Sequence, residues 1–447
     1  MIRDTSQWPV KGRYDLAVMG AGPAGICAAV TAARRGLRVA LVDRAGSPGG
    51  SLAQCGVTMF FGFGVDGHQV TGGLADEIVR RLDAAGAASL SINDYHETPE
   101  YRPVGDRELN SKVHTSPEVA RVVYNRLLQE AGVDCLFYTH MADAAAEDGR
   151  IRAVLLSGLE GTYLLEAEVF ADCTGDAQLC FLADPESVSK VPPEDGMHQS
   201  LFFYVGGVEP FDIDYNKKLY RELYEKGLVP EGVWEFFGFS MQLTPGVLGI
   251  GMCYAVGDAA DSRDMTRMDR DLRERTLQMV EFLQKYMPGF RHCWLDQTAQ
   301  RVGVRVSRSI RGVETITEDL LFSDTLHEPV ALVWRDIGAH SNNRKFTAEW
   351  ARHLSGCGGV PMRTLLPRAF GNVVAAGRCI SSEFRLSNTY RMMATCMATG
   401  EAAGLMAALS VKSGTPLKEL RYESLLPLMK ENGFLLEDPC RDKEASV

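Results

Sequence analysis

The stretch YDLAVMGAGPAGICAAVTAARRGLRVALVDR, Tyr14 to Arg44, reads as strand, glycine turn, helix, strand. Tyr14–Met19 is an apolar run that stops at a turn. Ala24–Arg35 is rich in alanine and free of proline, the pattern of a buried helix. Leu37–Val42 is a second apolar run, closed by Asp43. Gly20, Gly22 and Gly25 stand at the spacing GxGxxG, and each has a physical job. Gly20 lets the chain leave the strand in a tight turn. Gly22 has no side chain to hold a pyrophosphate off the backbone, and Gly25 lets the helix pack close to the sheet. The helix N-terminus presents free N–H groups and partial positive charge to phosphates. The carboxylate of Asp43, ending the second strand, suits both hydroxyls of an adenosine ribose. A glycine turn in an unrelated βαβ unit has the same local spacing. Strand before, helix after and acid at the next strand end together favour a dinucleotide unit.

Composition narrows the classes around that unit. The chain has 447 residues, enough for two or three domains, with 45% hydrophobic and 23% charged residues, as in ordinary soluble globular proteins. A net charge of −11 argues against a broad nucleic-acid or anionic-membrane footprint. No apolar run reads as long enough to span a bilayer, and the start MIRDTSQWPVKGRYD lacks the apolar core of a signal peptide, so the expected location is cytoplasmic. The eleven cysteines form no CxxC pair. They read as reduced, mostly buried thiols, with neither a structural metal site nor a dithiol redox centre expected.

After Asp43 a glycine-rich loop, Gly46 to Gly73, suggests backbone packed close to something flat or charged. Leu74–Ala85 has helical periodicity, and Ser89–Leu109 is mixed. Ser116 and Pro117 mark a helix start that runs to about Ala131. Four apolar runs follow: Cys135–Thr139, Met141–Ala145, Ile151–Leu156 and Tyr163–Leu165, with a hairpin signal at Asp148-Gly149. A small antiparallel sheet is the simplest reading. Val188–Glu194 reads as a linker. Met197–Gly206 and Val247–Val256 read as long strands. Thr266–Met287 is an amphipathic helix with Leu272, Thr276, Val280 and Leu283 on one face, ended by Pro288-Gly289. Asn372–Ala376 is a short strand before Gly377-Arg378, and Arg391–Leu409 a largely apolar, small-residue helix. Beyond Lys412 the tail turns polar and is expected at the surface or partly loose.

Three separated segments share an explanation. GAGPAG, the DCTGDA segment and GRCISSEFRLSNTYRMMATCMATGEAAG resemble the FAD-dependent oxidoreductases of the glutathione-reductase-like superfamily, within it the "FAD dependent oxidoreductase" family allied to the fumarate reductase and succinate dehydrogenase flavoproteins. The resemblance runs from Tyr14 to about Ser410. It implies that Gly20, Gly22, Pro23, Ala24 and Gly25 hold the FAD pyrophosphate and that Asp43, where the family usually has glutamate, binds the ribose with Arg44 flanking it. It implies that Gly49, Gly50 and Ser51 pass beside the phosphates and ribityl chain. Met141 meets adenine through its backbone, and Thr174, Gly175 and Asp176 close over the phosphate end. Gly377 and Arg378 lie at the ribityl, and the helix near Tyr390-Arg391 directs its N-terminus at the flavin pyrimidine. Several of these residues also have bland uses: a turn at Gly49-Gly50, a helix cap at Asp176, core at Met141, close helix packing after Arg391.

Gly249-Ile250-Gly251 is a second glycine pair, but Tyr254 occupies the third position and no acid-ended βαβ unit follows, so a separate nicotinamide domain is not expected. Substrate identity belongs to the middle of the chain. Arg301–Leu320 resembles a family segment that carries an arginine toward the substrate; Arg305 and Arg308 are the candidates, since guanidinium groups bind carboxylates and enolates through paired contacts. The same spacing serves structural ion pairs. His198, His340 and the neighbouring Gln199 and Asp336 are candidates beside the flavin, histidine having the pKa for proton transfer. Any one of these histidines also fits a structural role. Relatives carry a histidine soon after the GRCIS-like segment; Phe384 stands there here, followed by Arg385, which leaves the acid/base open. Cys55 suits a flavin anchor, a redox thiol or a buried small residue.

The expected fold is α/β: a glutathione-reductase-type FAD-binding Rossmann domain with an inserted mixed α+β substrate domain. Its parts are residues 1–190 and 356–412 for the FAD domain, 191–355 for the substrate domain and 413–447 as a tail. The expected function is hydride transfer between a small organic substrate, anionic or carbonyl-containing, and FAD. Arg305 orients the substrate and His340 or His198 moves the proton. An outside electron acceptor or donor completes the cycle, no nucleic acid or membrane span takes part, and a homo-oligomer stays open. A flavin monooxygenase or halogenase, whose lysine and tryptophan signatures are not evident, is one alternative. The other is a non-catalytic FAD-binding sensor or scaffold, or a tRNA-modifying protein.

Overall fold

The apolar runs around the GAGPAG turn lie side by side in the computed structural model of the chain, which describes residues 5–90, 103–193, 195–238, 240–241, 246–337 and 352–440. His340 and residues 91–102 of the Ser89–Leu109 segment fall outside those described. The first elements are β1 (Val10–Met19), α1 (Pro23–Arg34), β2 (Val39–Val42), α2 (Gly73–Ala84) and α3 (Pro117–Ala131). Strands β3 (Asp134–Leu136), β4 (His140–Glu147), β5 (Arg150–Gly158) and β6 (Gly161–Asp172) follow. β1 starts four residues before the apolar run at Tyr14, because Val10 to Tyr14 pair with Leu164 to Ala167.

One seven-stranded sheet runs in the order β3-β2-β1-β6-β5-β4. The seventh strand, near the C-terminus, lies beside β6. Pairing is parallel from β3 to β6, with Met19 opposite both Val42 and Asp172, and Val42 opposite Leu136. Three of the four runs read as a small antiparallel sheet do pair that way, as β4-β5-β6 at the far wing of this sheet, while the run at Cys135 joins β2 in parallel. β6 is twelve residues long, so its first half closes a hairpin with β5 while its second half continues as a parallel partner of β1. The β4–β5 turn is the Asp148-Gly149 pair, both with positive φ (50° and 68°), as a two-residue hairpin requires.

The middle of the chain builds a second core. Its elements include β7 (Phe203–Gly206), β8 (Leu248–Ile250), α4 (Ser262–Tyr286) and β9 (Trp294–Thr298). The predicted long strands at 197–206 and 247–256 are each broken in two. Gln199-Ser200 pair with Tyr254-Ala255 and Phe203 pairs with Ile250, which leaves two residues facing three. That extra residue stops the ladder. The amphipathic helix is α4, capped by Asp261, with Leu272, Thr276, Val280 and Leu283 buried against Phe203, Phe237 and Phe290. The Val188–Glu194 segment opens as a short strand, Val188–Lys190, paired with Arg308–Ile310.

The chain then returns to the first core through the hairpin β10 (Pro329–Ile337) and β11 (Arg352–Pro361), the strand β12 (Val373–Ala375), and helices α5 (Met393–Ser413) and α6 (Tyr422–Glu431). β12 is the seventh strand of the main sheet, parallel to β6, with Ala375 opposite Asp172. In its described part the polar tail packs on the rest of the protein, one of the two expected outcomes: α6 buries Leu425 and Met429. Its hydrophobic face is short and set among charges, which hides it in a reading of composition.

Helix α5 explains its own small residues. A Cβ on Gly400 would lie 2.1 Å from the carbonyl oxygen of Ala24, and one on Gly404 2.5 Å from that of Ala28. Glycines four apart on α5 therefore meet alanines four apart on α1, and the two backbones touch. α5 is the one described helix long and apolar enough, by length and composition, to cross a membrane, which the sequence reading had not expected. Its apolar window is 89% buried within the protein, against α1 and the surrounding core.

Candidate functional site

Parallel register brings five strand ends to one edge. Met19, Val42, Leu136, Asp172 and Ala375 stop level with one another, and the chain leaves them as Gly20, Asp43, Phe137, Cys173 and Ala376. The carboxyl edge of a parallel sheet is where α/β folds bind ligands. GAGPAG, Asp43, the segment after Asp172 and Gly377-Arg378 all leave from it.

Gly20 has φ 101°, and a Cβ there would sit 2.6 Å from the Cys173 carbonyl oxygen. At Gly25 the Cβ would sit 1.8 Å from the Gly20 oxygen, so glycine is required for the tight turn and the close helix. Gly22 differs. The nearest atom to a Cβ there is the Gly50 Cα at 3.9 Å, which leaves open space directly over the helix N-terminus. Pro23 is the first residue of α1 and Ala24 lies beneath Gly377 and Gly400. Gly49, with its N–H on the Ala21 carbonyl at 2.8 Å, brings Gly50 and Ser51 alongside this space. Asp43 accepts from the N–H groups of Ala21 at 2.7 Å and Ala45 at 2.8 Å. Arg44 beside it is exposed. Met141 is buried in β4, opposite Leu156.

The DCTGDA segment is organised by a residue that the sequence reading passed over. Asp172 is fully buried and accepts from the Thr174 hydroxyl at 2.7 Å, the Thr174 N–H at 3.2 Å and the Cys180 N–H at 3.0 Å. Burial pushes its carboxyl upward in pKa against the pull of those bonds. It fixes the loop carrying Gly175, with φ 77°, and Asp176. An acid closing the buried apolar run Val169–Ala171 was the available signal.

Arg378 links three parts of the site. Its guanidinium donates to the Gly175 carbonyl at 2.6 Å, to Asp176 at 2.5 Å and to the Val304 carbonyl. Asp176 also accepts from Ser307. Gly377 donates its N–H to the Thr399 hydroxyl at 3.1 Å. Tyr390 ends a short helical turn, Ser387–Tyr390, set apart from α5, so the helix predicted from Arg391 begins at Met393. In the first turn of α5 the Ala394 N–H already donates to the Phe61 carbonyl at 3.2 Å.

The middle core contributes Arg305. Its backbone N–H donates to Gln199 Oε1 at 2.8 Å, its guanidinium donates to the His198 carbonyl, and the same guanidinium lies 5.9 Å from the Trp234 ring centroid. His198 is buried, 4.2 Å from the Tyr254 ring and 4.8 Å from that of Trp234. Burial, with the positive charge of Arg391 nearby, lowers the Arg305 pKa to about 9. Burial and Arg378 lower that of Arg391 to about 10. Arg391 donates to Asn388 Oδ1 at 2.7 Å, and its Nε is buried without a partner among the described residues. Neither Arg305 nor Arg391 has a carboxylate partner among them. Arg308, by contrast, is held by Gln178 at 3.1 Å, the Ala260 carbonyl at 3.3 Å and the Phe181 ring at 4.0 Å, a structural set of partners.

Arg385 pairs with Glu318 and Glu383. Asp336 is raised in pKa by burial, and its carbonyl accepts from Thr389. All eleven cysteines are unpaired, eight of them buried. The Cys55 thiol is pushed up by burial despite nearby arginines, and stays protonated at neutral pH.

Comparison with known proteins agrees with this layout. Residues 15–428 match the family model described as "FAD dependent oxidoreductase". A geranylgeranyl bacteriochlorophyll reductase-like structure from Thermoplasma acidophilum is similar over 95% of this chain and 84% of its own, with a TM-score of 0.50 and 12% identity. The flavin-dependent halogenase CmlS is similar over 94% of this chain and 62% of its own, with a TM-score of 0.50 and 11% identity. At such identity the likeness is one of fold. A stretch of 38 residues is 63% identical to the sarcosine oxidase subunit alpha of Rhizobium meliloti (strain 1021), covering 8% of this chain and 4% of the length of that curated relative. FAD is the implied cofactor, and the open space over Gly22 fits its pyrophosphate: a side chain there would fill the place the phosphates need.

Proposed function

Because the chain belongs to the FAD dependent oxidoreductase family, we propose that it moves a hydride between a small anionic or carbonyl-bearing substrate and the flavin. The observation that carries this reading is the pair of half-buried guanidinium groups, Arg305 and Arg391, each depressed in pKa and neither matched by a carboxylate among the described residues. Two desolvated like charges are unfavourable unless an anion joins them. A substrate carboxylate or enolate supplies that charge.

The remaining roles follow from position. Gly20, Gly22, Pro23, Ala24 and Gly25 with Gly50 and Ser51 would hold the pyrophosphate, Asp43 the ribose with Arg44 flanking it, and Met141 the adenine edge. Thr174, Gly175 and Asp176 would close the phosphate end. Gly377, Arg378, Tyr390 and Arg391 would lie along the ribityl and ring. FAD, when bound, supplies a two-electron carrier at N5. The protein orients the substrate through Arg305, whose direction is set by the His198 carbonyl and Gln199. Trp234 and Tyr254, packed on His198, exclude water behind it. The proton that accompanies the hydride is assigned to His198 or His340. The separate hydrophobic cluster formed by residues 201–302 supports an inserted substrate domain within 191–355, while Ile316 to Ile337 pack in the first core. An external electron partner completes the cycle.

The test is anaerobic. The FAD-loaded protein is mixed with small carboxylates, hydroxy acids and their neutral amide or ester analogues, and bleaching of the flavin band is followed. Reduction by an acid and not by its neutral analogue supports the reading. Reduction by neutral compounds alone, or substrate-coupled oxygen consumption with no anaerobic bleaching, overturns it.

A further inference from the structure

Arg301 has no place in the roles above. It lies on the loop between β9 and Arg308, and that loop is tied on both sides. The Arg301 N–H donates to the Gln54 carbonyl at 3.1 Å, and the Tyr204 hydroxyl donates to the Gly56 carbonyl. Gly303 and Ser200 exchange backbone hydrogen bonds of 2.7 and 3.2 Å. The loop thus joins the middle core to the turn that carries Gly49 and Gly50.

The Arg301 side chain is half-buried, and the titratable groups that act on it are Arg44, Asp43 and the neutral Cys55 thiol. Arg44 repels it. Asp43 attracts it, yet both Asp43 oxygens already accept from backbone N–H groups. Neither the Arg301 nor the Arg44 guanidinium makes a hydrogen bond or an ion pair among the described residues. Two arginines from distant parts of the chain therefore share the end of β2 with no anion to match them. A burial cost and a like-charge cost fall on the same place. Asp43 holds the N–H of Ala21, next to Gly22, and Gln54, which accepts from Arg301, donates its own N–H to the Gly50 carbonyl at 2.7 Å, so that place is tied to both glycines at the positive end of α1.

We infer that Arg301 and Arg44 form a two-sided clamp for the diphosphate of the bound dinucleotide, Arg44 from the Rossmann edge and Arg301 from the middle core. The inference rests on the FAD reading and extends it: occupancy of the diphosphate site also fixes the middle core, and with it Arg305, over the flavin.

The experiment uses the full chain stripped of flavin and titrated calorimetrically with FAD, ADP and riboflavin. Arg301→Ala, Arg301→Gln and Arg301→Lys are compared with the wild type, with thermal melts to verify folding. The clamp requires that Arg301→Ala and Arg301→Gln each weaken FAD and ADP by about 10–100-fold, the range for a charge-assisted contact to phosphate. Riboflavin affinity stays unchanged and Arg301→Lys recovers part of the loss. FAD and ADP affinities within twofold of wild type in the glutamine variant overturn the clamp while leaving the cofactor reading intact. Equal loss of riboflavin and ADP binding also overturns it, by showing a general disturbance of the site. A wild type that binds neither FAD nor ADP overturns the cofactor reading itself.

Discussion

Gly22 and Gly50 face each other so closely that a Cβ on Gly50 would lie 2.7 Å from the Cα of Gly22. One belongs to the GAGPAG turn and the other to the loop after β2, and their bare backbones form the floor of the space proposed for the diphosphate. Gly50 also has φ 48°, a region that L side chains enter at a cost.

Gly50→Ala should therefore weaken FAD binding by at least about tenfold, since either residue must retreat into the phosphate space and a left-handed alanine adds about 1 kcal/mol of strain. Equilibrium titration with FAD measures it. Unchanged affinity would mean that the two loops part freely and the floor is not a fixed surface.

The α1–α5 contact makes a stability prediction independent of any ligand. Gly400→Ala places a Cβ 2.1 Å from a backbone oxygen, which no rotamer relieves. It should destabilise the fold by about 1–3 kcal/mol or more, the usual cost of overpacking. Gly371→Ala, whose Cβ meets nothing closer than 3.8 Å, is the control and should leave the urea midpoint near that of wild type.

Arg305→Met retains length and apolar bulk but removes the charge. It should lower kcat/KM for an anionic substrate by about 100-fold while FAD content stays constant, because the role proposed for Arg305 is to orient the substrate and not to hold the diphosphate. An equal fall with a neutral substrate would mark the residue as structural.

Glu401 sets a pH dependence. It is buried in α5 and accepts from the Leu74 N–H at 2.8 Å and the Asn432 amide at 2.9 Å, so it joins α5 to the start of α2 and the end of α6. Burial raises its pKa from 4.5 to about 7, against the pull of those two bonds and of Arg34, with Glu77 adding to the rise. The native state then holds a proton that the unfolded chain releases between about pH 4.5 and 7. Stability falls as pH rises through that window, by about 3 kcal/mol in all. Glu401→Gln, measured by urea unfolding from pH 4.5 to 8, should flatten this slope. An unaltered slope would assign it to other groups.

Much of the site was legible because it is built from local patterns. GAGPAG, the acid of Asp43, the serine–proline start before Val119 and the Asp148-Gly149 hairpin each act over a few residues. Their structural counterparts follow from steric and hydrogen-bond rules that need no partner. Legibility failed where pairing was shared between distant segments. β6 reads as two runs, yet it is one strand serving a hairpin on one half and a parallel sheet on the other. The broken strands at 197–206 and 247–256 look continuous because a one-residue mismatch is a property of the pair. The burial of α6 depends on a groove that α5 supplies.

By itself the sequence determined the dinucleotide unit and its cofactor family, since glycine spacing and strand-end acids encode backbone geometry directly. It also named Arg305 as a candidate beside Arg308. Only the tertiary structure decided that Arg305 feels the charge of Arg391, that Arg301 feels that of Arg44, and that Arg308 is held by structural partners. The chemistry of a guanidinium depends on which charges share its low-dielectric surroundings, and residues tens to hundreds of positions apart set that through the fold.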